Sequence, residues 1–307
     1  MGFRPLNSKL QKIAEQELNE VPSRVESDVK VLREWIEKQP HLNARTSDQF
    51  LIAFLRGCKF SLEKAKQKID LYYTLRALTP ELFTLREVNS KTLELLRVGC
   101  LLRLPKPMEE DGPRIYISKY GNFDPKKYKL ADFLKLSFMM SDIQILEDDN
   151  AMVKGFIEIV DMTNISFGHL LQFDPSLTKK VSVLGEKAMP FRIKGIHFIN
   201  IPSEAQSVIN LGKKLLSDKM KQRFVFHGNL ESLYEVVPRK YLPKEYGGEN
   251  GTFDEVLHHW EQKLSRYKSY FEDDKLYGTN EKLRCNSNIN TENILGTQGS
   301  FRKLEVD

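Results

Sequence analysis

The chain has 307 residues, 40% of them apolar and 29% charged, with a formal net charge of +5. That composition supports a buried core in about two domains and excludes a chain too polar to fold. No window approaches the roughly 20 apolar residues of a spanning helix, and the start, Met1-Gly-Phe-Arg-Pro-Leu6, has no apolar run of signal-peptide length.

Leu6 stands where an N-myristoylation signal wants Ser or Thr, so N-myristoylation at Gly2 is not expected. Cys58, Cys100 and Cys285 are odd in number and far apart, which predicts reduced thiols and a cytoplasmic protein.

The first part of the chain reads as helices. Val25, Val29, Leu32 and Ile36 recur at helical spacing, and Leu51, Phe54, Leu55 and Cys58 make a second apolar stripe. Ser61 is placed to cap a third helix, on which Leu62, Ala65, Ile69 and Tyr72 share a face. Pro40 and Pro80 punctuate this region, and a helical domain over residues 1–85 is expected.

From about Leu93 the pattern alternates between strands and helices. Short runs rich in Val, Ile and Phe predict strands at 115–119, 153–161, 195–201 and 223–227, separated by helices at 130–147, 177–187 and 203–217. Strands spaced by helices imply crossover connections, so residues 86–250 are expected to form an α/β domain around a mainly parallel sheet. Residues 253–271 set Val256, Trp260, Leu264 and Tyr267 on one face, predicting a docking helix within 251–277. The polar stretch 278–307 is expected to be a loosely draped tail.

Charge is concentrated near the end of the α/β region. Between Lys187 and Arg223 there are eight Lys or Arg and two acids, a local excess of six. In the same stretch Val208, Leu211 and Leu215, extended by Ile209 and Leu216, face away from Gln206, Asn210, Lys213 and Ser217. An amphipathic helix flanked by cations suits a surface of anionic lipid.

Catalytic signatures are missing. No Gly-x-Gly-x-x-Gly follows a strand, and neither Gly-x-x-x-x-Gly-Lys-Ser/Thr nor Gly-x-Ser-x-Gly occurs. No cysteine has an arginine six residues on. His258 and His259 are adjacent and cannot share a metal-binding helix face, while His197 and His227 read as packing histidines. The chain is expected to be no enzyme, with no catalytic residue, metal site or cofactor and no nucleic-acid partner.

The helical region contains Phe54-Leu-Arg-Gly-Cys-Lys-Phe60, and the α/β region ends Tyr241-Leu-Pro-Lys-Glu-Tyr-Gly-Gly248. With these motifs in this order the chain resembles the CRAL-TRIO family of lipid-binding proteins, most of all its alpha-tocopherol transfer protein and cellular retinaldehyde-binding protein branch, over roughly residues 25–272. The resemblance implies a helical domain packed on an α/β domain whose hydrophobic cavity is shut by a mobile lid helix.

The family's pocket positions fall on Leu134, Ser137, Ser141, Phe156, Val160, Val181, Leu184, Gly185, Met189, Phe191 and Ile196. Phe138 joins them from the apolar stripe on 130–147. Val208, Ile209, Leu211, Leu215 and Leu216 become the inner face of the lid.

The resemblance also implies a cleft for phosphatidylinositol bisphosphate at Arg192, Lys194, Lys219 and Arg223. Cys58 replaces a further family arginine, and Lys59 beside it supplies a substitute charge. Period-two alternation puts Glu158 on the face of Phe156 and Val160, where a buried carboxyl needs a partner or an adjusted pKa. The implied function is a cytoplasmic, transiently membrane-bound carrier of a tocopherol, retinoid, carotenoid or similar lipid. The alternative is a phosphoinositide-sensing adaptor whose cavity lipid is structural.

Overall fold

The structure is a computed structural model and describes residues 2–285. The helical region opens with α1 (Ser8–Leu18), whose first turn is capped by the Asn7 side chain and whose end is turned by left-handed Asn19. It continues through α2 (Val25–Glu37), α3 (Asp48–Gly57) and α4 (Leu62–Leu78), with the two-residue β1 (Leu42–Asn43) between α2 and α3.

The stripes expected on these helices are buried together: Val29, Leu32, Leu51, Phe54, Leu55, Ile69 and Tyr72 share one core. Ser61 occupies the cap position of α4, but its side chain makes no capping bond. Two short helices follow, α5 (Pro80–Phe83), started by Pro80, and α6 (Ser90–Arg97).

A five-stranded sheet carries the rest of the fold. Its strands are β2 (Leu101–Arg103), β3 (Arg114–Ser118), β4 (Phe156–Asp161), β5 (Ile193–Ile199) and β6 (Phe224–Phe226), side by side in that order. β2 pairs antiparallel with β3, and every other pair is parallel. The parallel pairs need the crossovers found between them: α7 (Leu130–Glu147) with α8 (Asp149–Val153), then α9 (Phe167–Leu170) with α10 (Pro175–Val183), then α11 (Gln206–Lys214) with α12 (Asp218–Lys221).

Two boundaries differ from expectation. Val153 and its neighbours close α8 rather than opening β4, and the helix expected over 203–217 breaks before Ser217, whose hydroxyl caps α12.

After β6 come α13 (Leu230–Tyr234), α14 (Phe253–Arg266) and α15 (Lys268–Glu272). Trp260 donates from Nε1 to the Arg103 carbonyl at 2.9 Å, seating α14 on β2. The chain then returns to the helical region, where β7 (Gly278–Thr279) pairs antiparallel with β1. Arg284 there donates to both carboxylate oxygens of Asp70, at 2.6 and 2.9 Å. Residues 278–285 are therefore docked, contrary to the loose tail expected, because their partners lie more than 200 residues earlier. The remainder of that tail, 286–307, lies outside the described residues.

The two regions are joined by a buried ionic junction. Asp142 of α7 accepts from the Tyr72 hydroxyl at 2.7 Å and from Arg76 at 3.1 Å, and pairs with Arg86. Arg76 and Arg86 also bind Asp274, at 2.6 and 2.9 Å. Every member is less than a tenth exposed, so each charge depends on the others for solvation. Gly57 marks a close approach of the regions: a Cβ there would sit 2.4 Å from the Pro190 carbonyl oxygen.

Candidate ligand cavity and basic cleft

A cavity of about 260 Å³ lies against one face of the sheet. β3 presents Tyr116 and Ser118 to it, β4 presents Phe156 and Glu158, and β6 presents Phe224, as side-chain alternation requires. β5 contributes Ile193 and Ile196, three residues apart. The β4–β5 register slips between Phe156 and Ile157, and the extra residue, Lys194, is turned outward.

α7 adds Ser137, Phe138 and Ser141, and α10 adds Val181. Beyond α10 the chain makes a five-residue π turn (Leu184–Ala188), a form that recurs at functional sites. The turn and the residues after it bring Gly185, Met189 and Phe191 to the cavity, and Leu216 and Met220 complete the wall from the segment around α12.

Three expected pocket residues are placed elsewhere. Leu184 is fully buried in the core shared with the helical region. Leu134 lines a neighbouring cavity of about 270 Å³ together with Phe123, Met162, Phe173 and Val208. The two cavities share Thr178 and Val181. Val160 lines neither.

Of the lid residues, only Leu216 reaches the main cavity. Val208 faces the second, Ile209 and Leu215 are half-buried, and Leu211 is exposed.

The polar side of the cavity was only partly readable. Arg103, on the short strand β2, reaches the wall and donates to the Ser137 carbonyl at 2.6 Å, the Ser137 hydroxyl at 3.0 Å and the Ser141 hydroxyl at 2.9 Å. It also donates to Gln144 and lies 4.8 Å from the Tyr116 ring centre. Both serines thus serve a buried guanidinium. Burial holds the Arg103 pKa below its ordinary value, and no carboxylate lies within ion-pair distance among the described residues. Glu158 accepts from the Ser118 hydroxyl at 2.7 Å, and burial pushes its carboxyl pKa up, against smaller opposing effects of that bond and of Arg103.

A separate cleft is basic. Lys59 and Lys219 line it with Lys64, Lys68 and Lys187, beside Cys58 and Ser61, and no acid lines it. Lys68 donates to the carbonyls of Lys187 and Met189, at 2.9 and 3.3 Å, and its burial lowers its pKa. Burial pushes the Cys58 thiol up.

The other expected cations do not line this cleft. Arg192 is paired with Glu17 of α1 at 3.2 Å and donates to the Val153 carbonyl at 2.9 Å. Lys194 is turned to the surface; partial desolvation of its ammonium is the main cause lowering its pKa, and the positive field of Arg192, Lys154 and Arg223 adds to it.

Residues 104–248 match the CRAL/TRIO domain, and residues 21–93 match the Pinta-like UBA domain. The chain is 31% identical over 244 residues to a Mus musculus protein named alpha-tocopherol transfer protein-like, covering 78% of this chain and 70% of the relative. It belongs to the CRAL/TRIO family. Clavesin-1 of Rattus norvegicus is 28% identical to this CRAL/TRIO chain over 243 residues, 78% of this chain and 68% of the relative. A solved structure titled "Crystal structure of Sfh5" superimposes with a TM-score of 0.48 at 15% identity, over 86% of this chain and 100% of that one. Among the described residues of the CRAL/TRIO chain, no helix is long and apolar enough to cross a membrane, and no cluster of His, Cys, Asp and Glu has the make-up of a metal site.

Proposed function

We propose that this CRAL/TRIO chain is a cytoplasmic, non-enzymatic carrier. It encloses one lipophilic molecule of the tocopherol, retinoid or carotenoid kind and exchanges it at membranes bearing phosphatidylinositol bisphosphate. One observation carries the reading: Met220 of α12 is part of the cavity wall, while the adjacent Lys219 is part of the basic cleft. An anionic head group drawn to Lys59 and Lys219 pulls on the segment that shuts the cavity, which biases opening towards the membrane surface. Desolvation of the enclosed molecule supplies affinity at roughly 25 cal/mol per Å². The likeness to a relative named for alpha-tocopherol transfer supports a cargo of that chemistry.

Charge reversal tests the address. Lys59→Glu with Lys219→Glu is expected to reduce co-sedimentation with phosphatidylinositol-bisphosphate vesicles about tenfold or more and to leave binding of the neutral dye Nile red unchanged. Unchanged vesicle binding would sink the assignment of the cleft, and loss of both activities would point to misfolding.

A second reading, a phosphoinositide-sensing adaptor, is favoured by the separate linings of cleft and cavity, which share no residue. Solvent extraction and mass spectrometry of the natively isolated protein separate the two. A single stoichiometric apolar compound fits the carrier, and mixed phospholipids fit the adaptor.

A further inference from the structure

An apolar cavity has no use for a carboxyl group unless something is meant to bind it. Glu158 sits mid-strand on β4, opposite Tyr116 on one neighbour and Ile196 on the other, with its exposed surface turned to the cavity. Its side chain has one hydrogen bond among the described residues, accepted from Ser118, and that bond uses Oε1. Oε2 has no protein partner among the described residues. Arg103 is near enough to be felt electrostatically but forms no ion pair with it, its Nη1 being engaged with Gln144 and its Nη2 with Ser137 and Ser141. Glu158 is half-buried and lines the cavity, so an apolar ligand that filled the space without pairing this oxygen would forfeit on the order of 1–3 kcal/mol, which a polar ligand atom recovers.

The chemistry of that atom is constrained. A carboxylate can only accept a hydrogen bond, whereas a carboxylic acid can donate as well. An alcohol serves either form, since a hydroxyl both donates and accepts. An ether or ketone serves only the acid. A carboxylate-bearing lipid is repelled by the ionised form, and a cationic amine is disfavoured by the positive field of Arg103.

We propose that Glu158, held by Ser118, is the polar anchor of the cavity and hydrogen-bonds the single hydroxyl of an otherwise hydrocarbon ligand. The pocket thereby selects lipophilic alcohols over the matching ethers and hydrocarbons. This inference rests on the carrier reading and narrows its cargo.

The test is displacement of Nile red from the full chain by dodecan-1-ol, dodecyl methyl ether, dodecane and dodecanoate, in wild type, Glu158→Gln and Glu158→Leu. Wild type is expected to prefer the alcohol about tenfold over the ether and the alkane, the value of roughly one net buried hydrogen bond. The glutamine variant, with a donor and an acceptor, keeps most of that preference, and the leucine variant binds alcohol, ether and alkane alike. Equal binding of all four by wild type, or an alcohol preference that survives in Glu158→Leu, overturns the proposal and leaves the carrier reading standing. A preference for dodecanoate that survives in the leucine variant also overturns it and moves the anchor to Arg103. If neither the dye nor any chain binds wild type, the carrier reading itself fails.

Discussion

Filling the cavity from within separates binding from folding. Gly185 lies in the π turn on the cavity wall, and a Cβ built there meets no atom within 4 Å. Gly185→Leu therefore starts from a Cβ that meets no protein atom and adds four carbons beside a space of about 260 Å³. Each ligand methylene excluded forfeits about 0.8 kcal/mol, so four cost roughly 3 kcal/mol, or about 200-fold in affinity at about 1.4 kcal/mol per tenfold.

Stability should move the other way. Glycine in a helical turn is less favourable than leucine by up to about 1 kcal/mol. Titration with Nile red and dodecan-1-ol reads the first effect, and the urea midpoint reads the second. Wild-type affinity in Gly185→Leu would refute the placement of the ligand beside the π turn. Weaker binding accompanied by a lower midpoint would trace the loss to folding instead.

Asp142→Ala leaves Arg76 and Arg86 short of a buried counter-charge and is expected to cost about 3–5 kcal/mol by urea denaturation, as for other broken buried pairs. Glu17→Gln releases Arg192 and should raise binding to anionic vesicles two- to threefold by order of magnitude, a gain that fades at high salt. A salt-insensitive gain, or none, would show that Arg192 does not face the membrane.

His197 Nδ1 lies 2.9 Å from His227 Nε2, tying β5 to the end of β6, and burial lowers both pKa values. The unfolded chain then takes up more protons, so this pair's contribution is full above the unfolded histidine pKa of about 6.5 and is lost as pH falls through the lower folded values. The urea midpoint should drop between about pH 7.5 and pH 5.5, and His227→Gln should flatten that drop. Parallel curves for the two proteins would count against it.

Features set by local repetition were readable in the sequence, and those set by distant partners were not. The apolar pattern over 130–147 ends where α7 ends, and period two placed Glu158 on the cavity face. β2 has only three residues, too few for a period, so Arg103 went unnoticed although it claims both serines. The slip in β5 is invisible to an alternation rule that pairs Lys194 with Ile196, and it is what brings Ile193 inward. Leu184 and Met189 carry the same apolar label and pack in the same core, yet only Met189, just past the π turn, also lines the cavity. Arg192 counted as a free cation because nothing near it in the chain announces Glu17.

The ionic junction at Asp142 and Asp274 decides where the molecule can yield. It welds α4, α7 and the returning C-terminal segment through charges that cannot part without being stranded out of water. By contrast α11 has no buried residue, and the adjoining α12 buries Met220 alone. Local opening draws on the least buried elements first. The junction is thus the fixed plate of the molecule, and 206–221, which meets α4 across the basic cleft, is its least anchored leaf.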